Sequence, residues 1–373
     1  MKIKFYKIDQ EFKRIKKKYI EKIKVIFNSG NFILGKSNIK FEKKISDLLK
    51  IKYVCGVGNG TDALELAMLA IGIKKGDEVI TATNSWVSSL NSIINIGAKP
   101  VLVDVKDDFN IDCDQVKKAI TKRTKAIMPV HLNGLPAHME KINKIAKKYK
   151  LKIIEDSAQA ILSKYGNRYA GTIGDIGCFS MHPTKNLGVA GDGGFIVTNS
   201  KTVHKKIKII ANHGTNNKGD LVMVGRNSRL DEIQAEFILQ RLKYLRKDVT
   251  RIIEIANLYN SSLKEIVKIP KNNSKIKSVH TYHRYVIMLK NKNERDSLKK
   301  FLEKKKIETK IHYTKPIHKY KCFAKYSFKK NLQNSEDQSK KILSLPCNHF
   351  MSKKEVSFVI KNVKIYFLNK ASF

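Results

Sequence analysis

The chain has 373 residues, with 74 Lys and Arg against 33 Asp and Glu, a formal net charge of +41 and 42% hydrophobic content. Length and apolar content suit a globular protein of two or three structural units, while the charge points first to nucleic acid or an anionic surface. Yet residues 53–200 hold 18 basic against 14 acidic residues, so the excess sits in the flanks. Only ten of the 74 basic residues are Arg, whose planar fork reads bases and clamps phosphates. Runs such as Lys16-Lys17-Lys18 and Lys304-Lys305-Lys306 read as solvated surface, and no nucleic-acid partner is expected.

No apolar stretch approaches the roughly 18 residues of a membrane span, and the charged start Met1-Lys-Ile-Lys-Phe-Tyr-Lys7 lacks a signal-peptide apolar region. The five cysteines (Cys55, Cys113, Cys178, Cys322, Cys347) are far apart and form no CxxC pair, against a disulfide framework or zinc ribbon. A cytoplasmic protein is expected.

In chain order, Val57-Gly58-Asn59-Gly60-Thr61-Asp62 opens a helix that is apolar almost all round and therefore buried. It is expected to start near Asp62, with Glu65 as capping-box partner. Small residues and free N–H groups at such a start attract a phosphate, although a plain tight turn with an N-cap explains them equally well. Strands are expected at Glu78–Thr81, Pro100–Val105, Lys125–Val130, Leu151–Glu155, Ile176–Ser180 and Gly194–Thr198. Helices are expected at Trp86–Ile96, Cys113–Ile120 and Ala137–Tyr149. The alternation predicts an α/β domain with a largely parallel sheet covered on both faces.

The acidic pair in Ile153-Ile154-Glu155-Asp156-Ser157-Ala158-Gln159 falls at the carboxyl edge of that sheet, where α/β proteins bind ligands. Asp156 is placed to pair with a protonated ring nitrogen, to coordinate a metal or to cap the next helix. Further on, Ser180-Met181-His182-Pro183-Thr184-Lys185 leads from a strand into a loop of small residues with few charges. A lysine in such water-poor surroundings has a lowered pKa and attacks a carbonyl as free amine. A Schiff-base lysine, an acid for a pyridine nitrogen and a phosphate cup together are what pyridoxal phosphate requires. Lys185, Asp156 and the set Gly60, Thr61 and Ser180 supply them. Trp86, the only tryptophan, offers a flat face for the ring or packs in the core.

A long helical pattern from Leu230 to about Leu263 leaves this domain. A second unit follows: a strand near Tyr282–Leu289, a helix near Glu294–Lys304, then a strand and two helices ending near Leu368. The division expected is 1–235 for the large cofactor-binding domain and 236–373 for the long helix and a small C-terminal α+β domain. The histidines His131, His138, His280 and His283 show no metal spacing, and no metal is expected.

Taken together, Gly58-Asn-Gly-Thr-Asp-Ala-Leu64, Pro129-Val-His131, Glu155-Asp-Ser-Ala-Gln159, Phe179-Ser-Met-His-Pro-Thr-Lys-Asn-Leu187 and Gly225-Arg-Asn-Ser-Arg-Leu-Asp-Glu-Ile-Gln-Ala235 resemble the DegT/DnrJ/EryC1/StrS sugar aminotransferases. The resemblance runs from about Phe32 to His318. It implies the aspartate aminotransferase-like fold type I and pyridoxal 5'-phosphate as cofactor. It further implies a homodimer with shared active sites, and amino transfer from L-glutamate to an anionic keto-sugar carried on a nucleotide, for surface polysaccharide or glycoconjugate synthesis. By the same resemblance Lys185 is the Schiff-base lysine, Asp156 binds the ring nitrogen and Gln159 approaches the cofactor oxygen. Trp86 stacks on the ring, Gly60, Thr61 and Ser180 hold the phosphate, and Asn227 reaches the phosphate of the other subunit's cofactor. Some relatives in this fold are dehydratases with histidine at the lysine position; Lys185 favours transamination.

Departures fall where the family faces its sugar. Phe32-Ile-Leu-Gly35 stands for a usual Tyr-Ile-Leu-Gly, and Met181-His182 stands where many members have Tyr. His312-Tyr313-Thr314-Lys315-Pro316-Ile317-His318 stands for His-Tyr-Pro-x-Pro-x-His. Lys315 meets a substrate phosphate or is a surface lysine. The Asn-Ser-Arg-Leu-Asp run is closer to 3-keto than to 4-keto enzymes. A small phosphorylated ketone or a cyclitol ketone is the alternative substrate, and a basic nucleic-acid-binding or regulatory protein the alternative of another class.

Overall fold

The computed structural model describes residues 1–269, 277–326, 328 and 332–371. Two N-terminal helices, α1 (Ile8–Ser29) and α2 (Lys36–Leu49), lead into β1 (Tyr53–Val57) and α3 (Gly60–Ala70). Then β2 (Glu78–Ala82), α4 (Val87–Asn95), β3 (Lys99–Val103), α5 (Cys113–Ala119), β4 (Thr124–Met128), α6 (Met139–Tyr149) and β5 (Lys152–Asp156) alternate. A small hairpin, β6 (Lys164–Tyr165) and β7 (Arg168–Tyr169), precedes β8 (Ile176–Ser180), β9 (Gly194–Thr198) and α7 (Lys201–Ala211).

The large sheet has the order β1-β9-β8-β5-β4-β2-β3. Its pairs are parallel except those of β9, which runs antiparallel to both β1 and β8. A parallel pair needs a long crossover, usually a helix. The loop between β8 and β9 contains none, so the chain can only turn back. Strands β2 and β9 are buried at every position, which demands cover on both faces. Leu66, Ala67 and Met68 of α3 and Ile207 and Ile210 of α7 cover one face through Val79, Met128, Ile154 and Ile196. Val116 of α5 and Ile142 of α6 cover the other through Ile80, Val103 and Ile127.

The chain continues through α8 (Glu232–Leu242), α9 (Leu245–Leu263), β10 (Ser278–Val279), β11 (Tyr285–Met288) and α10 (Lys292–Lys304). It ends with α11 (Gln333–Lys341), β12 (Ile342–Leu345) and α12 (Lys353–Ala371). Antiparallel β11 and β12 join α9, α10 and α12 in a second core that also takes in Ile3 from the N-terminal segment.

The structure differs from expectation at five points. Tyr53–Val57, not expected as a strand, forms the sheet edge β1. Helix α3 starts at Gly60 rather than near Asp62: Asn59 is the N-cap and its side chain accepts from Asp62 N–H at 2.8 Å. Glu65 makes no capping box, because Asn95 and Arg226 hold its carboxylate instead. The helix expected from Leu230 to Leu263 is broken at Lys243-Tyr244, where a tightened Tyr244 N–H to Arg241 carbonyl bond separates α8 from α9. After α10 the order is helix, strand, helix rather than strand and two helices; the polar run of α11 passes directly into apolar Ile342-Leu-Ser-Leu345.

Candidate active site

Strands β1, β2, β4, β5 and β8 point their carboxyl ends the same way, and the motifs gather along that edge. Asp156 ends β5, beside Cys178 of β8 in register, and Ser180 ends β8. The Asp156 carboxylate is buried, 4% exposed, and accepts from Ser89 Oγ at 2.7 Å and from Ala158 N–H at 3.2 Å. No cation pairs with it among the described residues. Such a carboxylate is costly unless a positive group completes it.

The first turn of α4 links the two ends of the site. Thr61 Oγ1 donates to Ser88 Oγ at 2.9 Å, and Ser89 next in sequence holds Asp156. Gly60 lies so close to β8 that a Cβ on it would stand 2.6 Å from Ser180 Cβ. The N–H groups of Gly60 and Thr61 open the helix with no upstream turn to accept them, a cradle for an anion. Arg226 and Ser228 brace this helix start: Arg226 binds Asp62 at 2.8 Å and also Glu65, and Ser228 Oγ donates to Asp62 at 2.6 Å. Asn227 between them is exposed.

Lys185 sits half-buried in the loop that leaves β8. Its pKa is lowered to about 7, by burial first and then by the Arg284 charge, with Asp156 opposing. No hydrogen bond or ion pair holds its ammonium among the described residues. The loop itself is fixed. Met181 N–H donates to Gly193 O at 2.7 Å, and buried Arg241 donates to the carbonyls of Gly188 and Asn186, both at 3.2 Å. Glu11 of α1 neutralises Arg241 at 2.9 Å.

Gln159 is buried and accepts from Asn133 N–H at 2.8 Å. Trp86, an exposed residue, caps α4, and its ring lies 5.4 Å from that of Tyr313. His312 bonds Ser344 Oγ at 2.9 Å, and burial, followed by the Arg284 charge, pushes it down to about 2, so it stays neutral. His182 is exposed and bonds Thr184; burial and the Lys185 charge lower its pKa.

Of the other expected residues, Phe32 and His318 are held by contacts elsewhere, while Lys315 borders the His312–Tyr313 end of the group. The ring of Phe32 packs on Phe27 of α1, 5.3 Å away, and its carbonyl accepts from Glu232 N–H at 3.0 Å. His318 is pinned between Thr83 Oγ1 at 2.6 Å and Glu336 at 3.0 Å. Lys315 is exposed beside a cavity lined by Asn84, Phe109, Asn133, His312 and Tyr313.

Several neighbours were not singled out from the sequence. Ser88 and Ser89 could be read only from hydroxyls clustered at the start of an apolar helix. His283 is 5% exposed with both ring nitrogens unpartnered, its pKa pushed well below the ordinary value by burial and then by Lys185 and Arg284. Tyr6 arrives from the N-terminal segment, and burial raises its phenol pKa against the pull of Arg284. No local pattern marks either.

A buried carboxylate without a cation, a free-amine lysine in its field and a cradle open only because residue 60 lacks a Cβ together fit pyridoxal phosphate. Replacing Gly60 by Ala is expected to weaken retention of that cofactor at least about tenfold by displacing Ser180. Dialysis against a titrated cofactor series measures it, and unchanged retention would contradict the cradle.

The comparisons agree with this chemistry. The family model for the DegT/DnrJ/EryC1/StrS aminotransferases matches residues 13–364. A Geobacillus stearothermophilus relative described as a pleiotropic regulatory protein is 36% identical over 366 residues, covering 96% of this chain and 97% of its own. The dTDP-3-amino-3,6-dideoxy-alpha-D-galactopyranose transaminase of Aneurinibacillus thermoaerophilus is 38% identical over 366 residues, covering 98% and 99%. Among solved structures, Bacillus subtilis NtdA with bound cofactor PMP superposes with a TM-score of 0.90 at 29% identity, covering 98% of this chain and 85% of that one. With a lysine, an acid and an open helix start converging at one sheet edge, the chain belongs to the DegT/DnrJ/EryC1/StrS aminotransferase family of pyridoxal phosphate-dependent, fold-type I sugar aminotransferases.

Proposed function

We propose that this protein transfers the amino group of L-glutamate to a keto-sugar carried on a nucleotide, at carbon 3 rather than carbon 4, for surface polysaccharide or glycoconjugate synthesis. The single observation behind transamination is Lys185, a lysine with a pKa of about 7 within the field of an otherwise unpaired Asp156. The Asn227-Ser-Arg-Leu-Asp231 run and the 3-amino product named for the Aneurinibacillus relative support carbon 3.

When bound, pyridoxal phosphate supplies an electron-accepting ring that carries the amino group between substrates. Asp156 would hold a proton on the ring nitrogen, with Ser89 fixing the carboxylate's direction. Gly60, Thr61 and Ser180 would hold the phosphate, and Gln159 and Trp86 would meet the ring. Lys185 Nζ, free of its own ion pair among the described residues, would take the proton from the substrate carbon and give it up again within the same site. Neutral His312, with Tyr313, borders the substrate space.

In this reading residues 1–235 form the cofactor-binding unit and 236–373 the long helices and small unit. The active form is a homodimer in which Asn227 reaches the partner's cofactor phosphate. Exposed Leu221, Val222 and Val224, the last 95% exposed, support a covered face beside it. Cytoplasmic residence is supported by five free cysteines. No helix among the described residues is long and apolar enough to cross a membrane.

The test is a panel of keto-sugar nucleotides, a phosphorylated ketone and a cyclitol ketone, each with glutamate, followed by product mass and linkage. An aminated 3-keto nucleotide sugar is expected; turnover of only the small ketones would replace this substrate. Because the Lys185 amine is free above about pH 7 and protonated below, uptake of pyridoxal phosphate by stripped protein should speed up through that pH and then level. Lys185→Ala should take up no Schiff-base colour. A flat rate across that range would count against the lowered pKa.

A further inference from the structure

A buried ionic cluster joins helices α1, α8 and α9 to the chain after β12. Arg241, in the last turn of α8, and Glu11, in the first turn of α1, are 3% and 6% exposed and 2.9 Å apart. Glu11 also accepts from Arg14 at 2.7 Å and stands 2.8 Å from His349 Nε2. Burial raises its pKa, but His349, Arg241 and Arg14 outweigh that and hold the carboxyl below its ordinary value, so it is an anion. Arg14 in turn donates to both oxygens of Asp248 in α9, at 2.8 and 2.7 Å. Glu11, Asp248 and His349 come close enough together for a metal ion, but two guanidinium groups already fill the carboxylates.

A buried ion pair gains little stability over apolar packing of the same volume. What the pair adds here is direction. The fork of Arg241 donates to the carbonyls of Asn186 and Gly188, both at 3.2 Å. Asn186, next to Lys185, is thereby held at both ends, since its side chain donates to Thr281 O at 3.0 Å. Packing alone does not hold this stretch: a cavity of about 50 Å³ borders Lys185 and Asn186, lined also by Glu11, Arg241, His283 and His349. A segment beside a cavity lacks contacts on that side and takes its path from its hydrogen bonds.

We propose that Arg241, charged against Glu11, is a positioning residue for Lys185. By fixing the Asn186 and Gly188 carbonyls it sets the line along which Nζ meets the reacting carbon. A misplacement of about 1 Å at such a group costs on the order of 10²-fold in rate. Through Glu11 and His349, helix α1 and the chain after β12 act on an amine that neither carries. This assignment rests on the transaminase reading above.

Wild type, Arg241→Met, Arg241→Lys and Glu11→Gln are compared in two states. In cofactor-free protein, hydrogen exchange is followed over residues 182–190 and over α1 and α8. In holoenzyme, rapid mixing with L-glutamate gives the maximal rate of cofactor bleaching and the half-saturating concentration. Arg241→Met keeps the length of the side chain but none of its donors. Its residues 182–190 are expected to exchange about tenfold faster than wild type, with α1 and α8 within about twofold. Its maximal bleaching rate should fall about 30-fold or more, with half-saturating glutamate within about threefold of wild type. Arg241→Lys, a point charge without the fork, should fall between the two. Glu11→Gln should show the same pattern more weakly and add little to Arg241→Met in the double variant. A bleaching rate in Arg241→Met within about threefold of wild type overturns the assignment. So does a gain in exchange spread evenly over α1 and α8, which marks a purely structural role. Should Arg241→Met not fold, Arg241→Lys and Glu11→Gln carry the same comparison, and wild-type values in both overturn it. A wild type bleached by no α-amino acid overturns the transaminase reading, while exchange in the cofactor-free protein still decides whether Arg241 holds the lysine loop.

Discussion

Asp156→Ala is expected to lose about 10³-fold in turnover with glutamate while keeping its fold. An opposite charge within a few ångströms shifts a partner's pKa by about 1–3 units, and each unit is tenfold in protonated population. Removing the carboxylate therefore empties the ring nitrogen of its proton over most of the neutral range. The structural loss is small, since Asp156 gives up only its bonds from Ser89 and Ala158. Steady-state kcat together with an unchanged circular dichroism spectrum checks the split, and Asp156→Asn should be almost as slow because it keeps the shape without the charge. Wild-type-like turnover in either variant would sink the role given to this residue.

The largest stability effect is expected one residue earlier. Glu155 is fully buried and accepts from Gly171 N–H at 2.8 Å, Ile173 N–H at 2.6 Å and Gly174 N–H at 2.5 Å. His131 Nε2 stands 2.8 Å away; its Nδ1 already accepts from Ala137 N–H at 3.0 Å, so Nε2 donates to Glu155. Glu155→Ala leaves three backbone donors and an imidazole unsatisfied in a dry core, a loss of about 3–5 kcal/mol. Urea unfolding measures it. Glu155→Gln, which keeps an acceptor, should lose distinctly less. A loss below about 1 kcal/mol for Glu155→Ala would mean that the loop at 171–174 repacks without its anchor.

Much of this was legible because the motifs lie on local rules. Buried apolar runs alternating with helical periods gave the parallel sheet, and glycine and asparagine before an apolar run marked the start of a buried helix. Lys185 stood out against the other lysines through its uncharged neighbours. What escaped is non-local. Arg284 is an ordinary basic residue in a basic flank until folding sets it between Tyr6 and Tyr313, nearly 280 and about 30 residues away in sequence. Phe32 and His318 show the reverse: motif positions whose side chains this fold commits to Phe27 and to Thr83 with Glu336. Edge strand β1 was missed because Tyr53-Val-Cys-Gly-Val57 follows a helix without a turn signal and contains a glycine, which weakens a strand pattern.

The reversed strand β9 also governs how the site tolerates change in length. Because β8 and β9 are hydrogen-bonded neighbours, the segment carrying Lys185 is a closed tether, pinned by the Met181 to Gly193 bond and by Val189 N–H to Met181 O at 2.8 Å. Its path cannot slide along the sheet. A residue added or removed within Met181–Gly193 must be absorbed inside the tether and moves the amine itself. Additions at the opposite, amino edge of the sheet cost only the slowly growing entropy of a longer loop. Drift in length should therefore gather at that far edge, while the lysine tether keeps a fixed residue count.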